Sequence, residues 1–88
     1  MNIELFLVPG DEQGNLIKSF LNKNSLKFDE IITEDLELLS KVTQRRLTRA
    51  ISMIRIKRSH SIQVMEGYNE FVLNQLLEHI SKYKPKIK

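Results

Sequence analysis

The chain has no cysteine, and that single absence excludes disulfides, thiolate nucleophiles, Cys-ligated zinc and iron–sulfur clusters. Whatever the protein does, it is not a thiol-based redox enzyme. No segment reaches the roughly 18 to 20 apolar residues needed to span a bilayer, and Met-Asn-Ile-Glu-Leu lacks the basic start of a secretory signal; the expected location is cytoplasmic. Internal repeats, low-complexity tracts and linkers are also missing. Glycine and proline are scarce, at three and two residues, so each one punctuates the chain at a definite point.

What is present suits one small folded domain. Eighty-eight residues leave room for a single hydrophobic core and not for two. Hydrophobic residues make up 41% and charged residues 28%, a balance that favours folding over disorder. The net charge of +3 conceals an uneven distribution. Residues 1–40 carry eight acids against three lysines, and residues 41–88 carry eleven bases against Glu66, Glu70 and Glu78, so the two parts hold −5 and +8. Abundant Lys, Asn and Ile point to an AT-rich phage or low-GC bacterial genome.

The apolar run Ile3 to Val8, stopped by Pro9-Gly10, predicts a strand covered on both faces. From Asn15, Leu16, Ile17, Phe20 and Leu21 recur at helical spacing until Asn22-Lys23-Asn24-Ser25. Phe28, Ile31 and Ile32 predict a short second strand. Thr33-Glu34-Asp35 then offers a cap and acids for a second helix, which runs to about Arg49 and buries Leu36, Leu39, Val42 and Leu47. Ile54 and Ile56 alternate with Met53, Arg55 and Lys57. After Arg58-Ser59-His60, Ile62 and Val64 repeat that alternation, placing Met53 and Met65 on the outer face of a hairpin. Gly67 ends the strand, Asn69 caps, and Leu73, Leu76, Leu77 and Ile80 predict a closing helix. Phe71 and Val72 lie off its stripe, so an exposed apolar spot is expected there. The predicted order is β-α-β-α-β-β-α: an α/β class with a four-stranded mixed sheet and three helices over residues 1–82, followed by a basic tail at 83–88.

Three strings within that order resemble a known family. Val8-Pro9-Gly10 is similar to the end of the first strand in glutaredoxins, residues 15–24 resemble the helix after their active site, and Glu66-Gly67-Tyr68-Asn69-Glu70 resembles the turn into their last helix. The chain thus resembles a thioredoxin/glutaredoxin-like protein that lacks the active-site cysteines. In that family a Cys-x-x-Cys pair opens the first helix, where the helix dipole favours a thiolate. Asp11-Glu12-Gln13-Gly14 stands there in this chain, and no disulfide-exchanging atom remains. A family cis-proline before the third strand, in contact with the bound peptide or glutathione, aligns with Ser52. Because a cis bond to a non-proline residue costs about 3 kcal/mol, a trans peptide is expected.

No catalytic residue, cofactor or metal site is assigned. Asp11 and Glu12 read as acids favoured by a helix start; Gly10 and Gly14 lack the Lys-Ser/Thr ending of a phosphate loop; His60 and His79 read as surface residues without zinc spacing. The expected function is recognition. A redox-inactive thioredoxin fold would dock on a protein partner as an accessory or regulatory factor, as a monomer or weak homodimer away from membranes. Its candidate contacts are Asp11, Glu12, Gln13 and Ser52 at the helix mouth, with Arg45, Arg46, Arg49, Arg55, Lys57 and Arg58 forming a basic surface. The alternative is a small nucleic-acid-binding regulator, in which those six bases release phosphate counterions.

Overall fold

The fold follows from two apolar faces on one strand. The computed structural model describes residues 1–83, with β1 Asn2–Leu7, α1 Glu12–Lys23, β2 Asp29–Ile32, α2 Leu36–Thr43, β3 Met53–Lys57, β4 Ile62–Glu66 and α3 Glu70–Tyr83. The expected basic tail at 83–88 lies outside the described residues save for Tyr83. The sheet order is β2-β1-β3-β4, with β1 parallel to β2 and antiparallel to β3, and β3 antiparallel to β4. The expected class, element order and mixed four-stranded sheet are all present.

β1 is central, so its alternate side chains feed two separate cores. Ile3, Leu5 and Leu7 face one side, where Ile54, Ile56 and Met65 join them under Ile17 and Leu21 of α1 and Leu73 and Leu76 of α3. Phe6 and Val8 face the other, with Met53, and are covered by Leu39 and Val42 of α2 and by Leu47 beyond it. Two helices therefore lie over one face and the short α2 over the other.

Four expectations need correction. First, α1 begins at Glu12 rather than Asn15, because Asp11 caps it by accepting a hydrogen bond from Gln13 N–H; Leu16 is exposed, since the inward face is Gly14, Ile17 and Leu21 with Phe20 beside them. Second, α2 stops at Thr43, six residues before Arg49. Gln44 takes the left-handed conformation (φ 58°, ψ 34°) and its N–H bonds to Ser40 O, a C-terminal stop. Leu47 is still buried, but from a loop, where its N–H donates to Ser40 Oγ at 3.1 Å; Leu36 is exposed. Third, Met53 and Met65 are both buried. The register pairs Ile54 with Met65 and Arg55 with Val64, so Met65, not Val64, shares the face of Ile54 and Ile56, and Ile62 is left exposed at the edge. Fourth, Arg45, Arg46 and Arg49 belong to the 44–52 loop and do not end a helix.

Other expectations hold. The Ile51–Ser52 peptide is trans. Asn69 caps α3 through its side chain, which accepts from Val72 N–H at 3.2 Å, and Phe71 is 69% exposed.

Candidate functional site

The helix mouth is held shut by its own hydrogen bonds. Asp11 Oδ1 accepts from Gln13 N–H at 3.1 Å, while Oδ2 reaches across the chain to accept from Ser52 N–H at 3.0 Å. Ser52 is fully buried; its Oγ accepts from Val8 N–H at 2.8 Å, and its carbonyl accepts from Gly67 N–H at 2.7 Å. Gln13 Oε1 accepts from Tyr68 N–H at 2.9 Å. Five hydrogen bonds thus join the end of β1, the start of α1, the entry to β3 and the exit from β4. We call this the clasp.

Each part of the clasp has a local cause. Val8-Pro9-Gly10-Asp11 closes with Asp11 N–H on Val8 O at 3.1 Å and Gly10 at φ +80°, the pattern of a turn with proline second and a left-handed glycine third. That turn aims the Asp11 carboxylate at Ser52. Gly14 lets α1 sit directly on Leu7 and Ser52, since a Cβ there would collide with Leu7 Cδ1 and Ser52 Oγ. Burial pushes the Asp11 carboxyl up, but the hydrogen bonds from Ser52 and Gln13 outweigh burial and hold it below its usual range. The group is an ionised acceptor at a helix N-terminus, and each of its two oxygens accepts a hydrogen bond from inside the protein.

The basic residues divide in the same way. Arg45 forms a bidentate pair with Glu66, Nε to Oε2 at 2.8 Å and Nη2 to Oε1, and the Thr43 hydroxyl also donates to Glu66 Oε2. Arg45 first, and then Thr43, lower the Glu66 carboxyl to about 2. Arg55 donates to Glu4 Oε1 at 2.7 Å and lies over the Phe6 ring, 5.3 Å from its centroid. Lys57 stands 3.6 Å from the same carboxylate, and the hydrogen bond from Arg55 is the chief reason that Glu4 titrates below its usual value. Arg58 donates through Nη1 to Gln63 Oε1 at 3.1 Å.

Arg46 and Arg49 remain. Both are exposed, and neither forms a hydrogen bond or salt bridge among the described residues, although the charge of Arg49 helps to lower the Asp11 carboxyl. Arg49 lines an open cleft of about 510 Å³ between the Pro9-Gly10 turn, Ile51 and Gly67; Arg46 lines a neighbouring groove with Leu36, Lys41 and Leu47. Glu12 is exposed on the first turn of α1.

The structure therefore brings Asp11, Gln13 and Arg49 together around one cleft, with Ser52 buried behind Asp11 and no part of the lining. It sets Arg55, Lys57 and Arg58 toward the other end of β3, so the six bases do not form one surface. Thr43, Glu66, Tyr68 and Glu4 escaped the sequence reading as site partners. A signal existed for two of them: Glu4 is a lone charge inside an apolar run, and Glu66 is one of only three acids among eleven bases, so each demanded a cation nearby. Among the described residues no three His, Cys, Asp or Glu side chains gather as a metal site, and no helix is long and apolar enough to cross a membrane. Comparison with protein-family models, curated proteins and solved structures finds no match to this chain.

Proposed function

We propose that the chain is a thioredoxin-like domain without thiol chemistry, an accessory or regulatory factor that docks on another protein through the rim of the clasp. Support for the scaffold comes from the plan that the resemblance implies: β1 and β2 parallel, β3 and β4 an antiparallel hairpin, α1 and α3 over one face and α2 over the other. Support for recognition rather than reaction comes from the clasp. The carboxylate at the helix mouth is tied to Ser52 and Gln13, which suits a structural acceptor.

The observation that carries the docking reading is the state of the arginines. Two of them, Arg46 and Arg49, stand exposed beside open clefts without a salt bridge among the described residues, Arg49 near enough to Asp11 for its charge to act on that carboxylate, while Arg45 and Arg55 are committed to carboxylates. Arginine is the residue whose planar fork anchors acidic groups of a partner. The nucleic-acid alternative requires a contiguous set of free cations; engagement of Arg45, Arg55 and Lys57 by Glu66 and Glu4 removes half of that set.

The test is reconstitution. The tagged chain is used to recover a partner from its native cell, the recovered protein is purified, and binding is measured with both components pure. Arg46→Ala with Arg49→Ala weakens the complex at least about tenfold, or about 1.4 kcal/mol, and Arg55→Ala leaves it unchanged. Binding to single- or double-stranded nucleic acid that falls steeply with salt, with no protein complex formed, would sink the docking reading.

A further inference from the structure

The sheet has two outer strands, β2 and β4, and they differ in how they meet a neighbour. β2 opens with Asp29 and Glu30, and acids on an edge repel a second copy of the same strand. β4 is Ile62-Gln63-Val64-Met65-Glu66. Its pairing with β3 is continuous, so it has no bulge, and it carries none of the prolines or lysines that commonly blunt an edge. The single charge on it, Glu66, is already neutralised by Arg45.

The hydrogen-bond phase of the β3–β4 hairpin fixes which backbone groups face outward. Arg58 N–H donates to Ser61 O at 2.8 Å at one end, and Gly67 N–H to Ser52 O at 2.7 Å at the other. Bonded and non-bonded pairs alternate along an antiparallel ladder. Counted from either end through the register, Gln63 with Ile56 and Met65 with Ile54 are the bonded pairs. Ile62, Val64 and Glu66 therefore turn their N–H and C=O away from β3, and among the described residues no other strand receives them. Their side chains share the α2 face, where Val64 is only partly buried and Ile62 is 63% exposed.

We propose that β4 is a dimerisation edge, on which two copies of this chain pair antiparallel about a two-fold axis at Val64 and join their sheets into one. The edge is self-complementary in that register. Val64 meets Val64 of the second copy, and Ile62 meets Glu66 of the second copy, so each of the three outward-facing residues donates one backbone bond and accepts one. Moving the axis to either neighbouring residue leaves one of the three unmatched. Antiparallel order also holds the two Glu66 side chains at opposite ends of the junction. Each arrives beside Ile62, which has Lys57 across from it on its other side, so acid approaches base and not a second acid.

The test is sedimentation equilibrium of the full chain with amide exchange measured over the same concentrations. From about 10 μM to about 1 mM the mass is expected to rise from one chain toward two, with a dissociation constant of about 0.1 mM, at the weak end as suits a small junction. Exchange at Ile62, Val64 and Glu66 slows as the dimer forms, while Gln63 and Met65, already bonded to β3, stay unchanged. Val64→Pro removes an outward N–H and no bond to β3, and weakens association at least about tenfold. Because Val64 also packs against the α2 core, a second pair of variants is made at exposed Ile62. Ile62→Glu faces Glu66 of the second copy and weakens the dimer more than Ile62→Lys does. Within one chain the order is reversed, since residue 62 lies opposite Lys57, so hairpin damage cannot imitate the result. The proposal is overturned by a single-chain mass throughout, by growth beyond two chains, or by a dimer that leaves these amides unchanged. Slow exchange of the three at every concentration also overturns it, as does an Ile62→Lys effect equal to or larger than that of Ile62→Glu.

Discussion

At the scale of single residues, Ser52 decides how the helix mouth is used. Its N–H serves Asp11, its Oγ serves Val8, and its carbonyl serves Gly67, so a side-chain replacement breaks the Val8 contact and proline breaks the Asp11 contact as well. Ser52→Ala strands the Val8 N–H and is expected to cost about 1–3 kcal/mol, read as a lower denaturation midpoint at unchanged slope. Ser52→Pro, which restores the residue found in the resembled family, is expected to cost more than Ser52→Ala, because it also removes the donor to Asp11. An unchanged or raised midpoint for the proline variant would show that the clasp is not holding the mouth. Glu66 gives a second residue-scale prediction. Its carboxyl is lowered from 4.5 to about 2 by Arg45 and Thr43, so its contribution to stability is complete above pH 4.5 and is lost as the pH falls toward 2. Between pH 5 and 2 the Glu66→Gln variant should lose less stability than the parent, measured by denaturant unfolding at each pH; parallel curves would contradict this.

At the scale of elements, two positions reverse what intrinsic propensity expects. A helical Gly→Ala change ordinarily gains about 1 kcal/mol, yet Gly14→Ala should destabilise by about 1 kcal/mol or more, because the added methyl meets Leu7 and Ser52 where α1 rests on β1. Gln44→Gly should stabilise by about 1 kcal/mol, since it relieves a left-handed conformation in a residue that carries a Cβ. The same position explains the largest misreading in the sequence. Leu39, Val42 and Leu47 keep helical spacing through residue 47, and nothing in Gln44-Arg45-Arg46 announces a stop; the helix ends because Gln44 turns left-handed, so that the Arg45 N–H bonds to Ser40 O and the Leu47 N–H to Ser40 Oγ, a capping arrangement that hydrophobic spacing does not encode. By contrast, β1, the caps at Asp35 and Asn69 and the strand break at Gly67 were legible, because each depends on residues within a few positions of itself. The β4 offset falls between these cases. Ile62, Val64 and Met65 allow either face inward, and only pairing of Ile54 with Met65 selects one.

At the scale of the whole molecule, the charge asymmetry of the sequence is only partly folded away. The acidic first part meets the basic second part across the sheet as Glu4 with Arg55 and Lys57, while Arg45 with Glu66 is a pairing within the second part, so the bases of the +8 segment divide into engaged and open ones. The six candidate bases were legible as a group in the sequence, but their division was not, because it depends on the register that sets Glu4 opposite Arg55. This division makes a prediction that composition alone would not. The sequence pI near 9.3 suggests firm retention on an anionic polymer, and residues 82–88 add cations to whatever the fold presents. If the folded part contributes through free charges, removing Arg46 and Arg49 should lower the eluting salt concentration more than removing Arg45 and Arg55. The second pair of substitutions also exposes Glu4 and Glu66 as unneutralised acids, so a larger effect of that pair would have to be separated from loss of its partners by combining it with Glu4→Gln and Glu66→Gln. With both acids removed, a residual shift equal to that of Arg46 and Arg49 would mean that paired and unpaired arginines contribute alike, and the division drawn from the structure would fail.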